Sequence, residues 1–152
     1  MSTPRNKICH VIYRLDYGGL ENGLVNLING LSHEQWEHVI VTLDGVSDYR
    51  KRLPEDVEVL NMDKKPGLDL GLYYRLWRVF RALKPQVMHT RNLATLEAQL
   101  PALLAGIKYR VHGEHGRDVH DLDNKSCKYR TLRRLFGLIV QQYTTVSKEL
   151  QV

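Results

Sequence analysis

The sequence predicts an α/β fold: a doubly wound parallel sheet with helices on both faces. Three observations carry this. Short runs rich in β-branched residues alternate with longer amphipathic runs along the chain, which is the pattern of repeated strand–helix–strand units. The first apolar run, Ile8 to Tyr13, is apolar enough to be buried on both faces, as strands of a parallel sheet are. The chain has 152 residues, 43% of them hydrophobic, enough for one domain with a proper core and too few for two ordinary ones. No internal repeat or low-complexity segment interrupts the pattern.

The elements follow in order. After the first strand, a helix from Leu20 to Leu31 places Leu20, Leu24, Leu27 and Leu31 on one face. His38 to Leu43 is a β-branched second strand. A polar stretch, Asp44 to Glu55, leads to a short strand at Val57 to Leu60. Pro66-Gly67 punctuates a turn, and a helix spans about Asp69 to Lys84. Gln86 to His89 is a strand, Leu93 to Ala105 a helix, and Gly106 its cap. Tyr109 to Gly113 is a strand entering a polar loop; Lys125 to Gly137 is a helix and Tyr143 to Val146 the last strand. Ser147 reads as the N-cap of a further helix. One turn has no stability of its own, so the sequence is expected to be a piece of a longer protein.

The formal charge of +5 points to anionic partners: nucleic acid, anionic lipid or phosphorylated substrates. No nucleic-acid motif accompanies it, and the aromatic residues are spaced for packing. Cys9 and Cys127 lack metal or redox spacing and read as free thiols. Met1 to Lys7 is polar, and the apolar run after it is broken by His10 and Arg14, which is not a signal-peptide pattern. Ala98 to Ile107 is far shorter than the ~20 residues needed to span a bilayer.

Tyr17-Gly18-Gly19-Leu20-Glu21 stands between the first strand and the first helix. Two glycines let the backbone turn sharply and approach a ligand, and the helix aims its free N–H groups and dipole at the same point. Together they make an anion site, most often for phosphate. A plain tight turn is the other reading of the same residues. The G-x-G-x-x-G dinucleotide fingerprint is absent, so Asp44 reads as a turn residue rather than a ribose ligand.

Two more loops leave strand carboxyl ends, where open α/β sheets bind ligands. One is Thr90-Arg91-Asn92; the other is Gly113-Glu114-His115-Gly116-Arg117-Asp118. Three histidines and three acids between His112 and Asp121 invite a metal reading, but no helical H-x-x-x-H pair is present and the spacing argues against a metal. A single histidine acting at a sugar or phosphate centre fits better, and glycines flanking His115 let its ring come close. His112 and His120 read as satisfied or solvated.

Two basic amphipathic helices complete the picture. One carries Arg75, Arg78, Arg81 and Lys84; the other carries Lys125, Lys128, Arg130, Arg133 and Arg134. An anionic membrane surface suits such helices, and so does an ordinary half-buried helix in water.

Asp16-Tyr17-Gly18-Gly19-Leu20-Glu21, Val87-Met88-His89-Thr90-Arg91-Asn92, His115-Gly116-Arg117-Asp118 and Thr145-Val146-Ser147 together resemble the N-terminal domain of a family 4 glycosyltransferase. That family is retaining and has the GT-B fold of two Rossmann-like domains facing across a cleft. Leu20 to Leu27 and His112 to Asp118 resemble the branch associated with exosortase (PEP-CTERM) exopolysaccharide clusters of bacteria.

The resemblance implies that residues 1–152 are the acceptor-side domain and that the nucleotide-sugar domain, with its glutamate pair, is absent. It implies that Gly18 and Gly19 approach the donor diphosphate and that His115 contacts the transferred sugar. It sets Glu21, Arg91, Asn92, Arg117 and Asp118 on the acceptor side. It implies a nucleotide-diphosphate sugar as co-substrate, no metal or other cofactor, and a glycan or lipid-linked acceptor. The setting it implies is the bacterial cytoplasm, peripheral to the inner membrane. An inactive acceptor-binding or membrane-docking module is the alternative.

Overall fold

The computed structural model describes residues 4–115 and 127–145, with the side chains of residues 128 and 129 excepted. Six strands form one parallel sheet: β1 (Asn6–Ile12), β2 (Trp36–Thr42), β3 (Glu58–Asn61), β4 (Val87–Arg91), β5 (Tyr109–Glu114) and β6 (Gln142–Thr145). Their order is β3-β2-β1-β4-β5-β6. The chain runs outward from β1 to β3, crosses back, and runs outward again from β4. The order therefore reverses between β1 and β4, where His10 pairs with His89 and Val11 with Thr90. This is a doubly wound, Rossmann-like sheet, as the alternation of patterns predicts.

Helices cover both faces. On one, α1 (Gly19–Gly30) packs Leu24, Val25 and Ile28 against Ile12 and Ile40. On the other, α2 (Leu70–Leu83) packs Leu72, Leu76 and Phe80 against Cys9, Val11, Val41 and Met88. Each fully buried Leu, Ile or Phe contributes on the order of 1.5–3 kcal/mol by leaving water. Asp69 caps α2, its Oδ1 accepting from the Leu72 N–H at 3.1 Å. Lys84 in the left-handed region ends the helix.

Several details differ from the sequence expectations. Leu27 lies toward solvent at 37% exposure, because the buried stripe of α1 runs through Leu24, Val25 and Ile28. The polar stretch after β2 holds a 3-10 turn, Asp48–Arg52, capped by Ser47 and anchored by buried Tyr49. The segment expected as one helix from Leu93 to Ala105 is two short ones, α3 (Leu93–Leu96) and α4 (Gln99–Leu104). Pro101 accounts for the break: it has no N–H for the Glu97 carbonyl, and its ring crowds that carbonyl. Gly106, at φ +82°, turns the chain after α4. The last helix, α5, spans Cys127–Gly137 among the described residues. Ser147 lies outside the described residues.

Strand β4 is the consequential difference. It extends to Arg91, so Thr90 and Arg91 are the last rungs of a central strand rather than parts of a loop. Strand β5 likewise reaches Glu114.

Candidate functional site

The carboxyl ends of β1, β4 and β5 lie side by side at the switch point, and the expected residues are distributed over them. Asn92 leaves β4 at φ +59°, a left-handed conformation that asparagine tolerates better than most residues. Its N–H donates to the Gly113 carbonyl at 2.8 Å, and its Oδ1 accepts from the His115 N–H at 2.7 Å. Asn92 thus ties the β4 exit to the β5 exit and fixes where the backbone of His115 stands.

Arg91 completes the group. Its Nη1 lies 3.1 Å from His115 Nε2. Guanidinium nitrogens only donate, so His115 Nε2 accepts and the ring proton sits on Nδ1. Burial lowers the His115 pKa first and the Arg91 charge lowers it further, against a weaker pull from Glu114. The ring is therefore a neutral imidazole presenting an Nδ1–H donor, which suits orienting a hydroxyl better than removing its proton.

Gly113 makes room for this ring. A Cβ there would stand 2.8 Å from His115 Nε2 and 3.1 Å from both His89 Nε2 and Thr144 Oγ1. The requirement is space, since Gly113 has no positive φ.

Beneath His115 runs a line of buried histidines. His10 Nε2 and His38 Nδ1 are 3.2 Å apart, and the His10 and His89 rings lie 5.6 Å apart. Burial drives the His10 pKa well below the usual value, and burial with Arg91 beside it brings His89 down to about 3. These rings are uncharged near neutrality.

On the opposite face of the same strands, a polar chain ties β4 to β5. Gln99 Nε2 donates to Thr90 Oγ1 at 2.7 Å, and Thr90 Oγ1 lies 2.8 Å from His112 Nδ1. His112 Nε2 lies 3.3 Å from Glu114 Oε1, which Arg133 Nε also approaches at 3.5 Å. His112 is thus a satisfied core residue, as expected. Gln99 carries no signal in the sequence, and Thr90 and Glu114 read there as loop residues. No spacing marks them, because their partners come from three separate elements.

The glycine turn departs from its expectation. Gly18 is extended at φ −170°, and Gly19 is the first helical residue. Neither uses the left-handed freedom of glycine. What Gly18 gives up is a side chain: a Cβ there would collide with Glu21 Oε2. No side chain caps α1, so its first N–H groups stay open, with the Glu21 carboxylate folded over the same turn. Asp44 pairs with Arg14 at 3.0 Å, the turn role expected of it.

The structure therefore brings Arg91, Asn92 and His115 together, and sets Gly18, Gly19 and Glu21 on the neighbouring β1 exit. Arg117, Asp118 and His120 lie outside the described residues. Among the described residues no three His, Cys, Asp or Glu side chains are grouped to hold a metal ion. Cys9 is a buried thiol pushed up to about 12 by burial, and Cys127 is an exposed free thiol.

Solved structures similar to this chain in fold include the following two. A candidate UDP-N-acetylglucosamine 2-epimerase from Listeria monocytogenes superposes with a TM-score of 0.56 at 15% identity, over 96% of this chain and 40% of that one. A PPC decarboxylase variant in complex with pantothenoylaminoethenethiol superposes at 0.51 with 10% identity, over 94% of this chain and 82% of the other. At such identities the likeness is one of fold alone. No curated protein matches. The model of Glycosyltransferase Family 4 matches residues 17–151, a span that runs from the glycine turn through Arg91, Asn92 and His115, and the chain belongs to that family.

Proposed function

We propose that this chain is the acceptor-side domain of a retaining glycosyltransferase of the GT-B type. It would move a sugar from a nucleotide-diphosphate donor to a hydroxyl of a glycan or lipid-linked acceptor, in bacterial exopolysaccharide synthesis. The observation that carries this reading is the Arg91–Asn92–His115 group at the sheet's switch point. A neutral histidine fixed from two sides offers one N–H donor to a sugar hydroxyl.

In the mechanism we infer, His115 Nδ1–H holds and orients a hydroxyl of the transferred sugar, Asn92 fixes the His115 backbone, and Arg91 fixes the tautomer. The open N–H groups of α1 face the diphosphate as it departs and accept part of its growing charge. Glu21 folds over that turn, so the diphosphate would enter as the carboxylate swings aside. A second Rossmann-like domain supplies the nucleotide site and the remaining charge. Arg117 and Asp118 are assigned to the acceptor side on the resemblance alone, and the reaction as proposed needs no metal.

The test is turnover by the protein that contains this chain together with a donor domain. Losing one hydrogen bond to substrate costs on the order of 1–3 kcal/mol, so His115→Ala is expected to lower kcat/KM by roughly 10–100-fold. Unchanged turnover would remove His115 from the mechanism.

A second reading, docking to an anionic membrane with or without catalysis, rests on a different face. An open apolar groove between α2 and α4 is lined by Leu70, Tyr74, Trp77 and Leu104 among others. Leu70, Tyr74 and Leu104 are 71%, 61% and 66% exposed. Arg78 and Arg81 lie over Tyr74 and Trp77 at its edge. No helix among the described residues is long and apolar enough to cross a membrane. In this reading the contact is peripheral, from the cytoplasmic side.

A further inference from the structure

Arg91 is 3% exposed, yet no carboxylate among the described residues pairs with it. The one hydrogen bond of its side chain goes to a neutral ring nitrogen, at 3.1 Å, and its Nε is buried with no partner. Among the described residues every other buried carboxylate or guanidinium is answered: Asp69 by Arg75 at 2.7 Å, Glu114 by Arg133 at 3.5 Å, and Arg110 by the carbonyls of Ile107 and Ile139 at 2.6 and 2.9 Å. Burying an unanswered guanidinium is costly, and a fold keeps one where something else answers it. The residues packed around it, His10, His89 and His115, are uncharged near neutrality and supply no counter-charge. Arg91 itself, though lowered to about 10 by burial, keeps its proton at that pH.

From this we propose that Arg91 binds an oxyanion, a carboxylate or a phosphate, carried by the acceptor. This rests on the acceptor-side reading and names the substrate class. The planar fork of the guanidinium matches the two oxygens of either group. The anion enters at the His115 edge, where Nη1 meets the His115 ring, and takes the donors the protein leaves unused. A neutral acceptor would leave the charge unanswered, so the site selects for acidic ones.

The experiment is a thermal-shift titration of this chain with phosphate, glucuronate and neutral glucose, at ionic strength matched with chloride. Wild type should gain about 3–6 °C at ten times Kd with an anionic probe and nothing with glucose. The stronger of phosphate and glucuronate identifies the source of the oxyanion. Arg91→Met should lose the response while melting no lower than wild type, because it removes an uncompensated buried charge. Arg91→Lys should keep part of it. Should Arg91→Met not fold, the Nε–H signal of Arg91 in wild type, followed by NMR, is the readout: it should move with the anion and not with chloride. A response that survives Arg91→Met, or an Nε–H signal indifferent to both anions, would overturn the inference. Binding of glucose without dependence on Arg91 would overturn it too, yet leave the acceptor-side reading standing.

Discussion

Arg91 Nη1 and His115 Nε2 stand 3.1 Å apart across the carboxyl ends of two neighbouring strands. The contact joins a buried cation to an uncharged ring, and it dictates the tautomer of that ring. Long-range 1H–15N correlation at pH 7 should find the His115 proton on Nδ1, with Nε2 unprotonated. Arg91→Met should free Nε2 and let the two tautomers mix. A ring carrying its proton on Nε2 in wild type would contradict the geometry.

The glycines separate by the space around them. Gly113→Ala drives a Cβ toward two ring nitrogens and a hydroxyl at 2.8–3.1 Å. It should destabilise by about 1–3 kcal/mol and shift the His115 resonances. Gly23, inside α1 with nothing within 4 Å of an added Cβ, should behave oppositely. Gly23→Ala should stabilise by about 0.5–1 kcal/mol, since alanine loses less backbone entropy in a helix. Denaturant midpoints of the two variants check both signs.

The buried histidines make stability depend on pH. Unfolded, His10 and His89 take up protons near 6.5; folded, His89 does so only near 3 and His10 well below the usual value. Between those values the unfolded chain binds more protons. Stability is thus fully present above about pH 6.5 and falls as pH drops toward 3. Each histidine contributes a slope of about 1.4 kcal/mol per pH unit within its window. The urea midpoint should fall steeply from pH 7 to 5, and His89→Gln should flatten the fall. A midpoint unchanged over that range would mean that these rings are protonated in the folded state.

Strand and helix order was legible because it rests on apolar periodicity, which the chain states clearly. The end of β4 was not, because its last rungs are His89, Thr90 and Arg91. A polar run after an apolar one reads as a loop. Only the pairing of Thr90 with His112 and of Arg91 with Gly113 reveals a strand continuing under cover of its neighbours. The proximity of Arg91 to His115 follows from that extension, so the loop reading put both residues at the site without the contact between them. The break before α4 is legible in Pro101, which cannot continue a helix begun at Leu93. The conformation of Gly18 is not legible in the sequence, because a glycine pair suggests turning freedom and Gly18 is extended. Here it leaves room for the Glu21 carboxylate, a tertiary circumstance no spacing records.

The groove between α2 and α4 yields the last prediction. Leu70, Tyr74 and Leu104 leave an apolar surface in water, and Arg78 and Arg81 rim it on one side. An anionic bilayer answers both at once: acyl chains take the apolar groups and headgroups take the guanidiniums. Each basic residue near such a surface is worth about 1 kcal/mol, roughly a fivefold change in affinity. In co-sedimentation with phosphatidylglycerol vesicles, Arg78→Gln and Arg81→Gln should each weaken binding by about that factor, and Leu104→Asp by more. Added salt should act as the arginine changes do, since it screens the same attraction. Phosphatidylcholine vesicles should capture little. Absence of binding to anionic vesicles at low salt would show that Arg78 and Arg81 serve only to keep a half-buried helix soluble, and would remove the membrane reading of the groove.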